Sequence, residues 1–232
     1  MSASKTLGII GGMSPESTVS YYQFINREIN ARLGGNHSAD IVMHSVDFED
    51  IVRMQRAGDW AQAGEALAES ARKLESIGAE ALLLATNTMH KVADAVQNAV
   101  GIPLLHVVDA TADAIEAQGL NKVALLGTRF TMSDGFYTRR MHARGVETLV
   151  PSEAQQDEIN RVIFEELCKN RFIAEAKRYF RDTIVQLQAQ GAQGVIFGCT
   201  EIGLLLQPED CTLPVFDSAR IHALAAVAFA LS

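Results

Sequence analysis

Gly78-Ala79-Glu80-Ala81-Leu82-Leu83-Leu84-Ala85-Thr86-Asn87-Thr88 and Gly191-Ala192-Gln193-Gly194-Val195-Ile196-Phe197-Gly198-Cys199-Thr200-Glu201 are two writings of one pattern. Each begins with a glycine that can stop a helix, runs through an apolar core, and ends in small polar side chains. An apolar run without polar alternation reads as a strand buried on both faces, the mark of a parallel sheet. The two stretches stand 113 residues apart, from 78 to 191. Two further pairs keep the same order: Ile9–Gly12 matches Leu125–Thr128 at 116 residues, and Ile102–Leu105 matches Leu213–Phe216 at 111. Three matches in register predict a duplicated α/β unit.

Outward from these anchors, strand-like and helix-like segments alternate. Thr6–Ile10 reads as a strand ended by Gly11-Gly12, and Ser14–Leu33 as a helix with Ser14 as N-cap, Pro15 in the first turn and Gly34-Gly35 as its stop. Ile41–Val46, Ala81–Ala85, Pro103–Val108, Val123–Leu126, Val195–Phe197 and Pro214–Phe216 read as strands. Trp60–Ile77, Asp109–Gln118, Asp134–Arg144, Ala154–Cys168, Phe172–Gln190 and a segment from Ser218 read as helices. Ligands of open parallel sheets sit beyond the carboxyl ends of the strands. Two such units facing each other would put Thr86 and Cys199 on opposite walls of one cleft.

The bulk numbers narrow the partners. The 232 residues carry 20 Lys+Arg against 28 Asp+Glu, a net charge of -8, so nucleic acid and anionic membrane are not expected partners. Ala81–Ala85 and Ala223–Leu231 are far shorter than the roughly 20 apolar residues of a membrane span. Met1–Lys5, with one basic residue, leads straight into a strand and does not read as a signal peptide. Three cysteines suit a reducing compartment better than a disulfide framework, and a cytoplasmic location is expected.

Cys199 follows a buried strand and opens a turn toward a helix, where backbone N–H groups would lower the thiol pKa. Cys168 reads as helix core and Cys211 as a loop residue. Asn87, Thr88 and Thr200 offer donors at the two matched strand ends, able to hold a carboxylate or simply to cap the following helices. Gly11-Gly12-Met13-Ser14 lacks the third glycine of a dinucleotide fingerprint and reads as a small-anion turn with Met13 over the cleft. No His/Cys/Asp/Glu cluster has metal spacing, so no metal is expected.

Gly11-Gly12-Met13-Ser14-Pro15, Asn87-Thr88-Met89-His90, Gly127-Thr128-Arg129-Phe130-Thr131-Met132 and Gly198-Cys199-Thr200-Glu201-Ile202 together resemble the landmark motifs of the aspartate/glutamate racemase family, in the family's order. The resemblance implies an α/β fold of two pseudo-symmetric domains with the active site in the cleft between them. It implies that the chain end returns to the first domain, giving residues 1–104 plus 211–232 and residues 105–210. It further implies proton transfer at the α-carbon between two cysteines, without pyridoxal phosphate or any other cofactor. This chain departs from that pattern: Thr86 stands where the first cysteine is expected, as in a subgroup of L-acidic or broad-specificity racemases.

The expected activity is racemisation of an acidic or related small amino acid, with Cys199 and Thr86 on opposite faces of the α-carbon. Asn87, Thr88 and Thr200 would hold the α-carboxylate. Met13, Gln55 and Thr128 are further substrate contacts, and Arg53 or Lys169 could meet a distal carboxylate. Two alternatives stay open: a single-cysteine decarboxylase or isomerase of the same superfamily, and an amino-acid-binding protein without turnover. Monomer and homodimer are both open.

Overall fold

The computed structural model describes residues 4–232. The reading of Met1–Lys5 therefore falls largely outside the described residues. The chain forms two compact units: one runs up to Val107 and resumes at His222–Ser232, the other is Val108–Ile221.

In the first unit the elements are β1 (Leu7–Gly11), α1 (Pro15–Leu33), β2 (Ile41–Ser45), α2 (Phe48–Ala57), α3 (Trp60–Ser76), β3 (Ala81–Leu84), α4 (Ala93–Asn98) and β4 (Leu104–Leu105). Helix α5 (Val107–Glu116) then leads into β5 (Lys122–Gly127), α6 (Arg129–Ser133), α7 (Phe136–Ala143), β6 (Glu147–Leu149), α8 (Glu153–Glu165), α9 (Ala174–Ala189), β7 (Val195–Gly198), α10 (Ile202–Leu205) and β8 (Val215–Asp217). Helix α11 (Ser218–Ala230) closes the described chain. The sheets have the orders β2-β1-β3-β4 and β6-β5-β7-β8, all parallel. The second repeats the first strand for strand, as the duplicated sequence pattern predicts.

The central strands explain the pattern. Every residue of β1, β3 and β7 is buried, so each side chain faces apolar packing rather than water. Full burial of a Leu, Ile or Val contributes roughly 1.5–3 kcal/mol. Each unit has its own core: Leu67, Leu82, Leu84 and Val96 belong to one cluster, and Leu126, Phe180, Val195 and Phe197 to another.

Several expectations need correction. Residues 211–232 do not return to the first unit as a block. Phe216 of β8 pairs with Ile196 of β7, so the chain stays in the second unit until Ile221. At the other crossing, Leu105–Val107 remain with the first unit. The strand expected over Pro103–Val108 shrinks to Leu104–Leu105 because α5 already begins at Val107. Helix α2 and strand β6 have no counterpart in the sequence reading. The signals of α2 were present: Asp47 accepts from Glu49 N–H, and Gly58 ends it with φ 71°. Strand β6 is three half-exposed residues at an edge, too short for any periodicity.

Gly12 needs its missing side chain. Its φ is +93°, and a Cβ there would lie 2.2 Å from the Val46 carbonyl oxygen. Both backbone strain and collision oppose any substitution. Gly12→Ala is expected to lower stability by about 1–3 kcal/mol, read as a lower urea midpoint with unchanged slope. A midpoint equal to wild type would refute the assignment.

Candidate active site

In the first unit, β1 and β3 end side by side. Ile10 pairs with Leu84, and Ala85 N–H donates to Ile10 O at 2.9 Å. The Gly11–Ser14 loop and the Thr86–Thr88 loop therefore leave the sheet as neighbours. Ser17 Oγ links them, reaching Ser14 O at 3.1 Å and Ala85 O at 3.0 Å. Gly12 N–H donates to Thr18 Oγ1, which in turn donates to Ser14 O. Thr86 N–H turns back onto Leu84 O at 2.8 Å, so the chain folds sharply at the strand end.

Met13, Gln55, Thr86, Asn87 and Thr88 are all buried in this unit. Asn87 makes no side-chain cap to the short helical turn Thr88–Val92. Simple capping is thus not what holds it there. Gln55 lies on the inner face of α2, not on a surface helix, and its Nε2 sits 3.0 Å from Met89 Sδ. A thioether is a weak acceptor, so this amide is poorly paid for its burial.

His90 cannot serve as a base for the Thr86 hydroxyl in this arrangement. Val107 N–H can only donate, and it points to His90 Nε2 at 3.2 Å. The remaining nitrogen, Nδ1, lies 2.8 Å from Thr86 O, which can only accept. The ring is therefore the neutral Nδ1–H tautomer, with both nitrogens in backbone bonds.

In the second unit, Gly127 and Gly198 are partners at the ends of β5 and β7. A Cβ on Gly198 would come within 2.9 Å of Leu126 O, so glycine permits the strands to close together where Cys199 begins the loop. Thr128 caps α6, accepting from Thr131 N–H at 3.3 Å and sharing a bond with Thr131 Oγ1 at 3.1 Å. Cys199, Thr200 and Glu201 are buried together.

The Cys199 thiol donates to Glu201 Oε2 at 3.0 Å. Burial pushes its pKa well up, and the Glu201 carboxylate adds to that push, with a further contribution from Cys168. The expected lowering by a helix N-terminus is overturned. Helix α10 has only four residues, and a carboxylate rather than a cation stands beside the sulfur. Glu201 is absent from the residues expected at the site. Its signal was a carboxylate two residues beyond the cysteine on a tight turn.

Arg53 and Lys169 point elsewhere. Arg53 pairs with Asp50 at 2.8 Å with its side chain 72% exposed, and Lys169 pairs with Glu165 at 2.7 Å. Among the described residues no Lys or Arg is buried, and no group of three or more His, Cys, Asp or Glu is placed to hold a metal. Cys168 and Cys211 are half-buried against the second core; Cys168, expected in helix core, stands in the short turn Leu167–Lys169 after α8, whereas Cys211 is the loop residue expected. No helix among the described residues is long and apolar enough to cross a membrane.

Comparison with known proteins follows the same residues. The Asp/Glu/Hydantoin racemase family model matches residues 10–226. A protein of Yersinia pestis, crystallised as a candidate Asp/Glu racemase, is 49% identical, with a TM-score of 0.92 over 98% of this chain and 100% of that one. An aspartate racemase homologue from Pyrococcus horikoshii is 36% identical, with a TM-score of 0.85 over 98% of this chain and 100% of its own. Among curated relatives, the broad specificity amino-acid racemase RacX of Bacillus subtilis is 25% identical over 92% of both chains.

The Cys199–Glu201 contact makes a direct prediction. A raised thiol pKa leaves little thiolate at neutral pH, and thiolate appears as pH rises. Glu201→Gln removes the nearby negative charge, so the thiol should ionise at lower pH. Alkylation of Cys199 by iodoacetamide at pH 7 should then run roughly ten-fold faster, with its pH profile displaced downward. An unmoved profile would show that Glu201 does not govern the sulfur.

Proposed function

This chain belongs to the Asp/Glu/Hydantoin racemase family and is an enzyme of the amino-acid racemase type, and on that premise we propose that it interconverts the enantiomers of a small amino acid without a cofactor. The observation that carries the reading is the equivalence of Thr86 and Cys199. Each is the buried residue that follows the inner strand beside the first strand of its sheet, β3 beside β1 and β7 beside β5. In the proposed reaction these two side chains approach the α-carbon from opposite sides.

Asn87, Thr88 and Thr200 supply donors to the α-carboxylate. Hydrogen bonds there stabilise the charge that develops when the α-proton leaves, the general route by which preorganised donors lower such barriers. Cys199 removes the α-proton as thiolate, its own proton having gone to solvent, and the positive charge of the arriving substrate ammonium favours that form. A thiolate with a raised pKa is scarce but strongly basic, which suits abstraction from a weak carbon acid. Thr86 delivers a proton to the other face, and Met13, Gln55 and Thr128 line the space for the substrate side chain. An acidic substrate is part of the proposal by kinship to aspartate racemase homologues. The single-cysteine alternative, decarboxylation or isomerisation, is favoured by one observation: the imidazole near Thr86 is held in backbone bonds.

Proton NMR in D2O over pure L- and D-amino acids tests the reading, since racemisation replaces the α-proton signal. Cys199→Ala should fall by at least about a thousand-fold in rate, comparable to loss of a catalytic acid–base group, while remaining folded by circular dichroism. Activity close to wild type in that variant would sink the assignment. Thr86→Cys should raise kcat in the direction that starts at its face. The equilibrium constant of unity keeps kcat/KM for the two directions matched, so the asymmetry is read in kcat and KM separately. Identical values for both enantiomers in wild type, unchanged by Thr86→Cys, would remove Thr86 from the mechanism.

A further inference from the structure

Behind the Thr86 loop lie two buried imidazoles, His90 and His222, and a half-buried third, His106, that the reaction does not use directly. His90 Nδ1 donates to Thr86 O at 2.8 Å, and His90 Nε2 accepts from Val107 N–H at 3.2 Å. The His222 ring lies 5.6 Å from that of His90, edge to face, and His106 lies 4.6 Å away on the same ring. His222 Nε2 donates to Leu105 O at 2.7 Å, and its Nδ1 accepts from Tyr21 OH at 2.9 Å.

The partners of these nitrogens decide where the protons sit. Leu105 O can only accept, so His222 carries its proton on Nε2 and leaves Nδ1 bare for the tyrosine hydroxyl. Val107 N–H can only donate, so His90 carries its proton on Nδ1. The His90 ring is therefore neutral, and complete burial pushes the His222 pKa down to about 4, which keeps that ring neutral at ordinary pH too.

The partners of the two rings sit at particular places in the chain. Val107 is the last residue before the chain passes into the second unit, and His222 is the first after it comes back. Leu105 is two residues before the first crossing. His222 therefore ties the returning chain to the departing chain, and His90 ties the departing chain to the peptide of Thr86.

We propose that His90 is a positioning residue for Thr86, holding its carbonyl against the chain crossing at Leu105–Val107 so that the hydroxyl stands at a fixed height at the end of β3. The proposal rests on the reading of Thr86 as the second proton-transfer face. Thr86 N–H is already folded onto Leu84 O, and Ala85 O is held by Ser17. The bond from His90 is the fastening on the far side of the same peptide. A hydroxyl that must meet the α-carbon within a few tenths of an ångström depends on it, because small misplacements of reacting groups cost large factors in rate.

Two substitutions in the full chain separate the bonds. His90→Asn keeps an amide donor where Nδ1 stood, and so keeps the bond to Thr86 O. His90→Gln places an amide oxygen where Nε2 stood, keeps the bond to Val107 N–H and loses that to Thr86. Racemisation is followed by optical rotation. Deuterium wash-in without inversion, read by NMR, reports on each face alone, because a base that abstracts and returns at one face exchanges only the enantiomer that faces it. His90→Gln should lose ten-fold or more in kcat of racemisation with KM within two-fold, while wash-in at the Cys199-facing enantiomer stays within two-fold of wild type. His90→Asn should keep most of the racemisation rate. Equal loss of racemisation and of Cys199-face exchange in both variants would show a purely structural histidine and overturn the proposal. So would wild-type racemisation in His90→Gln. A wild-type protein that neither racemises nor exchanges any amino acid overturns the racemase reading itself, and the proposal with it.

Discussion

The parallel pairing of β1 with β3 and of β5 with β7 is the constraint on which the rest depends. Inside each sheet the backbone hydrogen bonds are satisfied by neighbouring strands, and the side chains are free to be wholly apolar. Where the strands stop, that satisfaction stops as well. The next peptides must find partners nearby, and the chain supplies them from side chains: Ser17 to Ala85 O, Thr18 to Gly12 N–H, His90 to Thr86 O, Ser218 to Phe197 O. Buried polar groups need such partners. The same requirement that keeps the fold intact thus gathers hydroxyls, amides and a thiol at one end of each sheet.

The two gathered sets are alike in position and unlike in chemistry. At the end of β3 stand a threonine, an asparagine and a second threonine among methionines. At the end of β7 stand a cysteine and a carboxylate in hydrogen-bond contact. Both units keep the strand order, and Gly11 answers to Gly127, although Ala85 stands where Gly198 does. The side chains beyond the strand ends differ between the units although they too are buried. The acid–base strength of the sulfur then depends on its surroundings more than on its place: a buried thiol beside Glu201 is a weaker acid than an exposed one.

Much of this was legible in the sequence. The repeat, the unalternating apolar runs and the glycine stops reveal the parallel α/β units because buried strands and helix ends leave local signatures. Ser14, Pro15 and Gly34 mark α1 at both ends. The candidate residues Thr86 and Cys199 follow from register alone. Other features were not legible, for physical reasons. The chain crossing at residue 222 depends on β8 pairing with β7, a contact between distant segments. The pKa of Cys199 depends on which way Glu201 turns. The engagement of His90 with Val107 is a tertiary bond across 17 positions that no local pattern announces. Helix α2 was a different failure: its cap signals at Asp47 and Gly58 could have been read.

The second unit is one uninterrupted length of chain, whereas the first is written in two pieces. This asymmetry matters during synthesis. Val108–Ile221 can leave the ribosome and complete its own core while the first unit still lacks its final segment. The bonds that Tyr21 and Leu105, both made early, form with His222 come only after the second unit has been made. The first unit therefore completes its fold only after the whole of the second has been made.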